Sequence, residues 1–153
     1  MTPALAHLNR LLDAEMRSKH PLYPYPFRNH VKCNSANTLT QCVIKYIRLM
    51  GGQAERINTM GRRLDQTRVV TDCLGYKRQI GSVAWVPGTG TRGSADISAT
   101  IHGKSVKVEV KWGKDRISPD QIKYAESIRS AGGIYVVAHT FDDFYEWYNA
   151  QSW

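Results

Sequence analysis

The chain lacks any long hydrophobic run, since its apolar stretches are only a few residues long and too short to cross a bilayer. Its first residues, Met1-Thr2-Pro3, carry neither the basic start nor the long apolar stretch of a secretory signal. Cysteine is scarce as well, with three widely spaced residues and no C-x-x-C pair. This spacing suits neither a disulfide framework nor a zinc site, so we expect reduced thiols and a protein of the cytoplasm.

Acidic residues are also in short supply. The 153 residues include 21 Lys and Arg but only 13 Asp and Glu, which gives a formal charge of +8. This excess favours a polyanionic partner, and composition alone does not distinguish nucleic acid from a membrane or the ribosome. Neither a Ser-His-Asp order nor a P-loop glycine pattern occurs, which argues against those hydrolase and nucleotide-binding classes. The length and a hydrophobic content of 42% indicate one globular domain.

The first part of the sequence predicts mainly helix. Apolar residues at helical spacing predict a helix from Pro3 to Arg17, and the proline-rich stretch 20–27 ends it. We interpret residues 1–31 as an N-terminal helical extension with a connector, and residues 32–153 as the main domain. Further predictions are a helix from about Asn37 to Met50 and strands at 53–58 and 82–86, with no assignment for 61–80.

Residues 95–111 give the clearest pattern, two alternating strands around a His102-Gly103 turn. A shift of the pairing by one residue would expose the valines of the second strand, so the alternation fixes the register. The predicted pairs are Ile97 with Val108, Ser98 with Lys107, Ala99 with Val106, and Asp96 with Glu109.

The segment Ser118-Pro119-Asp120-Gln121 predicts a helix start, because it combines an N-cap serine, a first-turn proline and a glutamine able to close a capping box. Residues 134–138 predict a strand buried on both faces. A last helix is predicted from about Phe141. The expected buried positions are Ile122, Ala125 and Ile128 in the first helix, and an aromatic stripe of Phe141, Phe144, Tyr145 and Tyr148, in core or dimer packing, in the last.

Charged residues occupy the polar face of the predicted hairpin. Asp96 and Glu109 are expected to face each other with Cβ atoms about 5 Å apart, and Lys111 follows on the same face. Two opposed carboxylates repel unless a cation lies between them, and hard oxygen ligands suit Mg²⁺ or Mn²⁺. The metal interpretation therefore predicts that Glu109→Gln is neutral or slightly stabilising in chelator. The alternative is a solvated Glu–Lys pair, which the E-x-K triplet alone would favour.

Three segments together resemble the PD-(D/E)XK nuclease superfamily, namely "GSADI", "VEVKWGKDRISPDQ" and "AGGIYVVAHTFDDF". They are similar to the small VRR-NUC proteins of phages and bacteria, and "GGQAERINTMGR" resembles that family's stretch between first helix and first strand. The likeness covers residues 37–144. It implies a restriction-endonuclease-like α/β fold, with a mixed central sheet flanked by helices, and metal-dependent hydrolysis of phosphodiester bonds.

By position, the resemblance implies four catalytic residues: Asp96, Glu109, Lys111 and Gln121. It also implies that Asp96, Glu109 and the Val110 carbonyl bind Mg²⁺ or Mn²⁺. The capping box is an equal alternative role for Gln121.

Two departures from the family pattern stand out. Ala95 precedes Asp96 where the family often has proline, although only the carboxylate would coordinate. The family's first helix usually offers a Glu, whereas Asn37, Thr40 and Gln41 occupy the nearest positions here.

The resemblance and the charge together predict a metal-dependent DNA endonuclease in a bacterium or a phage-infected cell. It implies a homodimer that acts on branched DNA such as four-way (Holliday) junctions, without a membrane partner. Two alternatives remain, a non-catalytic nucleic-acid-binding module on a nuclease fold and a protein-interaction subunit. The candidate DNA-contacting residues are Arg56, Asn58, Arg62, Arg63, Lys114 and Arg116.

Overall fold

A computed structural model of the chain describes residues 1–24, 30–57, 61–86 and 90–153, apart from the side chain of Arg62. The chain divides into two compact units. The larger comprises Met1–Ile57 and Arg92–Trp153, and the smaller comprises Asn58–Thr91.

The larger unit contains four helices and four strands within the described residues. The helices are α1 (Pro3–Lys19), α2 (Ala36–Leu49), α3 (Pro119–Ser130) and α4 (Phe141–Ala150). Its strands are β1 (Gln53–Arg56), β6 (Ile97–Ile101), β7 (Lys104–Val110) and β8 (Ile134–Ala138), and those of the smaller unit are β2 (Arg62–Asp65), β3 (Arg68–Thr71), β4 (Lys77–Ile80) and β5 (Val83–Val86).

The sheet of the larger unit has the strand order β1-β6-β7-β8. The pairs β1–β6 and β6–β7 are antiparallel, whereas β7 and β8 are parallel and are joined through α3. The register predicted for the central hairpin is confirmed, with Ile97 opposite Val108 and Ala99 opposite Val106. Its turn has positive φ at both His102 and Gly103, as a tight two-residue turn requires. The protein is thus α/β, with a mixed sheet flanked by helices.

The main core lies on one face of this sheet. Alternate residues of β6 and β7, including Ile97 and Val108, meet the buried faces of α1, α2 and α4 there. The aromatic stripe of α4 belongs to this core, since Phe141, Phe144 and Tyr148 are buried. The prediction of core packing for these aromatic residues is therefore confirmed.

The N-terminal helix contributes directly to the core. The side chains of Ala4, Leu8 and Leu12 are buried in the same cluster as the apolar residues of α2 and α4. Asn9 is buried beside them and accepts a hydrogen bond from the backbone N–H of Val31, which ties the end of the connector to the helix.

Leu8→Ala is accordingly expected to lower the free energy of unfolding by about 2–5 kcal/mol, the usual cost of truncating a fully buried leucine. Urea denaturation would measure the loss. Leu22→Ala is the matched control, since Leu22 is 95% exposed and should shift the midpoint little. A small effect at Leu8 would mean that α1 is dispensable for the fold.

The second face of the sheet is covered by α3. Ala125 is buried, and Tyr124 and Ile128 pack with it against Tyr135 of β8. The prediction that Ile122 belongs to the buried face is wrong, because its side chain is 49% exposed. Positions 121, 124, 125 and 128 form the inward stripe of this helix, so Gln121 takes the inner position in its first turn.

The smaller unit is a two-stranded antiparallel ribbon. Arg62 pairs with Val86 in β2–β5, and Arg68 pairs with Ile80 in β3–β4, so both pairs share one continuous register. A hydrogen bond from the Gln66 N–H to the Ser82 carbonyl (3.1 Å) bridges the two halves. The tip of the ribbon is a turn that begins at Asp72, whose carboxylate accepts hydrogen bonds from backbone N–H groups of the turn. The strand predicted near 82–86 is confirmed.

Within the described residues, no helix combines the length and the apolarity needed to cross a membrane.

Candidate active site

The polar residues of the hairpin gather at the end of the sheet near the start of α3. Asp96 directly precedes β6, Glu109 lies in β7, and Lys111 directly follows it. Gly93 brings the loop before β6 against the first turn of α3, with φ of +74°. A Cβ at position 93 would lie 2.4 Å from the Asp120 carbonyl oxygen, so this approach requires glycine.

Glu109 and Lys111 form a buried ion pair. Their residues are only 2% and 8% exposed, and the Lys111 Nζ lies 3.0 Å from the Glu109 Oε1. Burial raises the pKa of the Glu109 carboxyl, and the Asp96 charge adds to that rise while Lys111 opposes it. The solvated Glu–Lys pair considered as the alternative is therefore excluded.

Gln121 connects the helix start to this pair. Its Oε1 accepts hydrogen bonds from the Lys111 Nζ and from the Ser118 N–H, both at 2.9 Å. Its Nε2 donates to the Glu109 Oε1 at 2.5 Å. The same side chain thus closes the capping box and contacts both charged residues.

Asp96 is partly exposed at the mouth of this cluster. Its Oδ2 accepts the Val110 N–H at 2.9 Å, which fixes the orientation of the carboxylate beside Glu109. The strand pairing ends at Ile97 and Val108, so the predicted pairing of Asp96 with Glu109 lies outside the register of the two strands. Asp96, Glu109, Val110, Lys111 and Gln121 therefore meet at one place.

Tyr135 is a contact that the sequence interpretation missed. Its hydroxyl donates to the Glu109 Oε2 at 3.5 Å, and burial raises the pKa of Tyr135 above its usual range, with the Glu109 charge adding to the shift. The interpretation treated residues 134–138 only as an apolar strand. The contact follows from the parallel pairing of β7 with β8, which places Tyr135 opposite Lys107 on the face that carries Glu109.

The donor set suits a hard cation. The Asp96 and Glu109 carboxylates lie on one polar face, and oxygen ligands of this kind suit Mg²⁺ or Mn²⁺. Within the described part of the chain, no three His, Cys, Asp or Glu side chains come together as a metal site. Such a site would therefore depend on two carboxylates completed by a backbone carbonyl and water, as Mg²⁺ commonly accepts.

Helix α2 offers no acid to this site. The Asn37 Oδ1 accepts a hydrogen bond from the Arg56 Nη1 at 2.5 Å, and the buried Thr40 hydroxyl donates to the Ala36 carbonyl. Glu55 is exposed in β1, opposite Ser98.

The candidate DNA-contacting residues are spread over both units. Arg56 lies in β1, and exposed Lys114 and Arg116 lie between β7 and α3. Arg63 is exposed on the ribbon, the backbone of Arg62 begins β2, and Asn58 lies outside the described residues.

The two roles of Gln121 can be separated by mutation. Ser118→Ala removes the N-cap and is expected to cost about 0.5–2 kcal/mol of stability while leaving cleavage unchanged. Gln121→Ala is expected to lose a similar stability and also most of the cleavage rate, since it releases Lys111 and Glu109. Thermal melts and DNA cleavage assays on both variants would measure this. Equal cleavage by the two would reduce Gln121 to a helix cap.

No protein-family model matches this chain, and no curated protein matches it significantly.

Proposed function

We propose that the protein is a metal-dependent endonuclease of the PD-(D/E)XK type, similar to the VRR-NUC proteins. The observation that carries the proposal is the convergence of Asp96, Glu109, Lys111 and Gln121 at one end of the sheet, with the lysine buried between the glutamate and the glutamine. An ordinary surface face would leave the lysine in water, because burial of a charge is costly even when the charge is paired. A functional role explains why the sequence retains these groups there.

The architecture supports the same class. A mixed sheet with helices on both faces, in which a hairpin carries the acids and the following helix carries the glutamine, agrees with the arrangement that the resemblance implies.

Each residue has a distinct role in this proposal. Asp96, Glu109 and the Val110 carbonyl would bind Mg²⁺ or Mn²⁺, which when bound lowers the pKa of water and polarises a phosphoryl oxygen. Lys111 places a positive charge where negative charge develops during hydrolysis. Gln121 holds the Lys111 ammonium and the Glu109 carboxylate in position, and Tyr135 supports the second oxygen of Glu109.

The proposed substrate is DNA, in keeping with the formal charge of +8. The resemblance to VRR-NUC proteins supports branched substrates such as four-way junctions, a homodimer, and action in the cytoplasm of a bacterium or a phage-infected cell. A dimer would also supply the two active sites that cutting two strands requires.

One observation favours a second candidate, a non-catalytic nucleic-acid-binding module on the same fold. The positions nearest to the family's acid are occupied by Asn37, Thr40 and Gln41, none of them acidic, and Asn37 bonds to Arg56. The described residues hold no cluster of three His, Cys, Asp or Glu side chains. In this case DNA binding would persist without cleavage.

Cleavage of a panel of labelled flap, fork, junction, linear duplex and single-stranded DNAs, with Mg²⁺ or Mn²⁺, tests the proposal. The wild type is expected to cut a branched substrate, and Asp96→Asn is expected to bind it with cleavage near background, because a ligand charge is lost. Asp120→Asn in the exposed first turn of α3 is the matched control and should cut normally. Binding without cleavage by the wild type would select the second candidate.

A further inference from the structure

All four strands of the ribbon of residues 62–86 are largely exposed. Trp85 is 64% exposed, Tyr76 is 67% exposed and Val69 is 66% exposed. A two-stranded ribbon is at best marginally stable when isolated in water. The exposed aromatic and aliphatic side chains of the ribbon therefore indicate a surface that functions in contact with a partner.

The charge of this unit identifies the kind of partner. Asn58–Thr91 contains five Lys and Arg and only two acidic residues, which gives it a net charge of +3. Both acids already have partners inside the ribbon: the Asp65 carboxylate lies 3.6 Å from Arg63, and the Asp72 carboxylate lies 3.3 Å from Arg78. The excess cations are thus available to an external polyanion.

Two of these cations are especially open. Arg68 and Lys77 are exposed, and neither forms an ion pair with a carboxylate of the described residues. Arg68 lies on the face that carries Arg78, and Lys77 lies on the opposite face with Arg63, as the pairing register shows. Cations on both faces fit a partner that surrounds the ribbon, as the two phosphate walls of a groove do.

The dimensions fit the major groove of duplex DNA. That groove is about 12 Å wide and admits a two-stranded β-ribbon. The continuous register runs from Arg62 to the turn at Asp72, and at roughly 3.3 Å per residue it spans about 33 Å. One turn of B-DNA is about 34 Å long.

A second copy of the ribbon is a poorer occupant. It would bring another charge of +3 against the first, and like charges at an interface disfavour association.

We infer that the ribbon of residues 62–86 is a duplex-binding arm that lies in the major groove of DNA. The choice of DNA rests on the proposed function, whereas the exposure, the charge and the dimensions of the ribbon are independent of the active site. Arg68 and Lys77 contact phosphates, and the exposed apolar side chains on the two faces pack along the groove.

The test is the salt dependence of binding, measured by fluorescence anisotropy on a short blunt duplex in chelator, so that no cleavage intervenes. The double variant Arg68→Gln, Lys77→Gln is compared with a control that loses the same charge, Arg10→Gln, Arg17→Gln, at exposed helical positions. The ribbon variant should bind about tenfold more weakly, and the slope of log K against log salt should fall by about 2. The control should keep nearly the wild-type slope.

Groove choice is tested separately by methylation interference. Methylation of guanine N7, which lies in the major groove, should weaken binding of the wild type. Absence of interference, or tighter binding of single strands than of duplex, would overturn the groove assignment. Equal salt slopes for the ribbon variant and the wild type would overturn the proposal that the ribbon binds DNA. The same conclusion would follow if the ribbon variant changed its oligomeric state, measured by light scattering, without a change in its affinity for DNA.

The two proposals fail in different ways. If the wild type cuts DNA but the ribbon variant binds and cuts equally well, only the arm is lost. If the wild type binds duplex through the ribbon but never cuts with Mg²⁺ or Mn²⁺, only the nuclease is lost.

Discussion

Lys111→Met is expected to cut DNA about 100- to 1000-fold more slowly than the wild type, the usual cost of removing one group that stabilises charge in a transition state. The lysine follows two residues after the metal-binding candidate Glu109 and is held 2.9 Å from the Gln121 Oε1. Its ammonium is thus fixed in place before substrate arrives, which makes its charge effective. Because the charge acts during the reaction, affinity for DNA should change much less than the rate.

Single-turnover cleavage and anisotropy on the same substrate measure the two effects, and circular dichroism at the assay temperature checks that the variant is folded. Lys123→Met is the matched control, since Lys123 is an exposed cation of α3 and its variant should cut normally. A Lys111→Met protein with a normal rate would remove the lysine from the chemistry.

The second large effect concerns stability in chelator. Glu109→Gln and Lys111→Met are each expected to lower the free energy of unfolding by about 3–5 kcal/mol, because each leaves the other charge buried without its partner. The free energy of unfolding lost by the double variant should be about 2 kcal/mol smaller than the sum of the losses in the two single variants, because neither buried charge then remains.

Urea denaturation of the wild type and the three variants would measure this coupling. The exposed pair Glu15–Lys19, with an N–O distance of 2.7 Å, is the matched control and should couple by no more than about 0.5 kcal/mol. Coupling of equal size in the two pairs would mean that the Glu109–Lys111 pair behaves as a solvated one.

The expected direction of the stability change in Glu109→Gln shows what the sequence could and could not predict. Alternation fixed the hairpin register and placed Asp96, Glu109 and Lys111 together, but it implied only repulsion between the two carboxylates. The structure reverses the expected stability effect because Lys111 is 8% exposed and pairs with Glu109. That burial depends on α3, which covers the polar face of the hairpin. The alternation of apolar and polar residues in a strand does not predict such a tertiary contact.

Gln121 and Ile122 illustrate the same limit in the helix. The capping signal predicted where α3 begins, and the structure confirms Ser118 as its N-cap. The apolar residues Ile122, Ala125 and Ile128 did not show how the helix is rotated about its axis against the sheet. The prediction that Ile122 is buried was therefore wrong. Tyr135 was missed for a related reason, since its contact with Glu109 arises from the pairing of two strands separated by α3.

Three of the four ribbon strands escaped assignment because a hairpin exposed on both faces has no hydrophobic alternation to detect. The strands mix basic residues with Val on each face, and only the turn near Gly75 carries a local signal. Sequence patterns report burial, so an element that meets its partner outside the chain leaves little trace in them.

The ribbon also bears on how the chain reaches its native state. β1 pairs with β6, which brings Ala54 together with Ala99, and the ribbon accounts for 25 of the 44 residues between them. A hairpin with a short tip closes within about 1–10 μs, well before most distant strand pairings. Early closure would shorten the effective loop by about half and lower the entropic cost of joining β1 to β6 by about 0.6 kcal/mol. The most distant pairing in the sheet thereby becomes shorter in range along the chain.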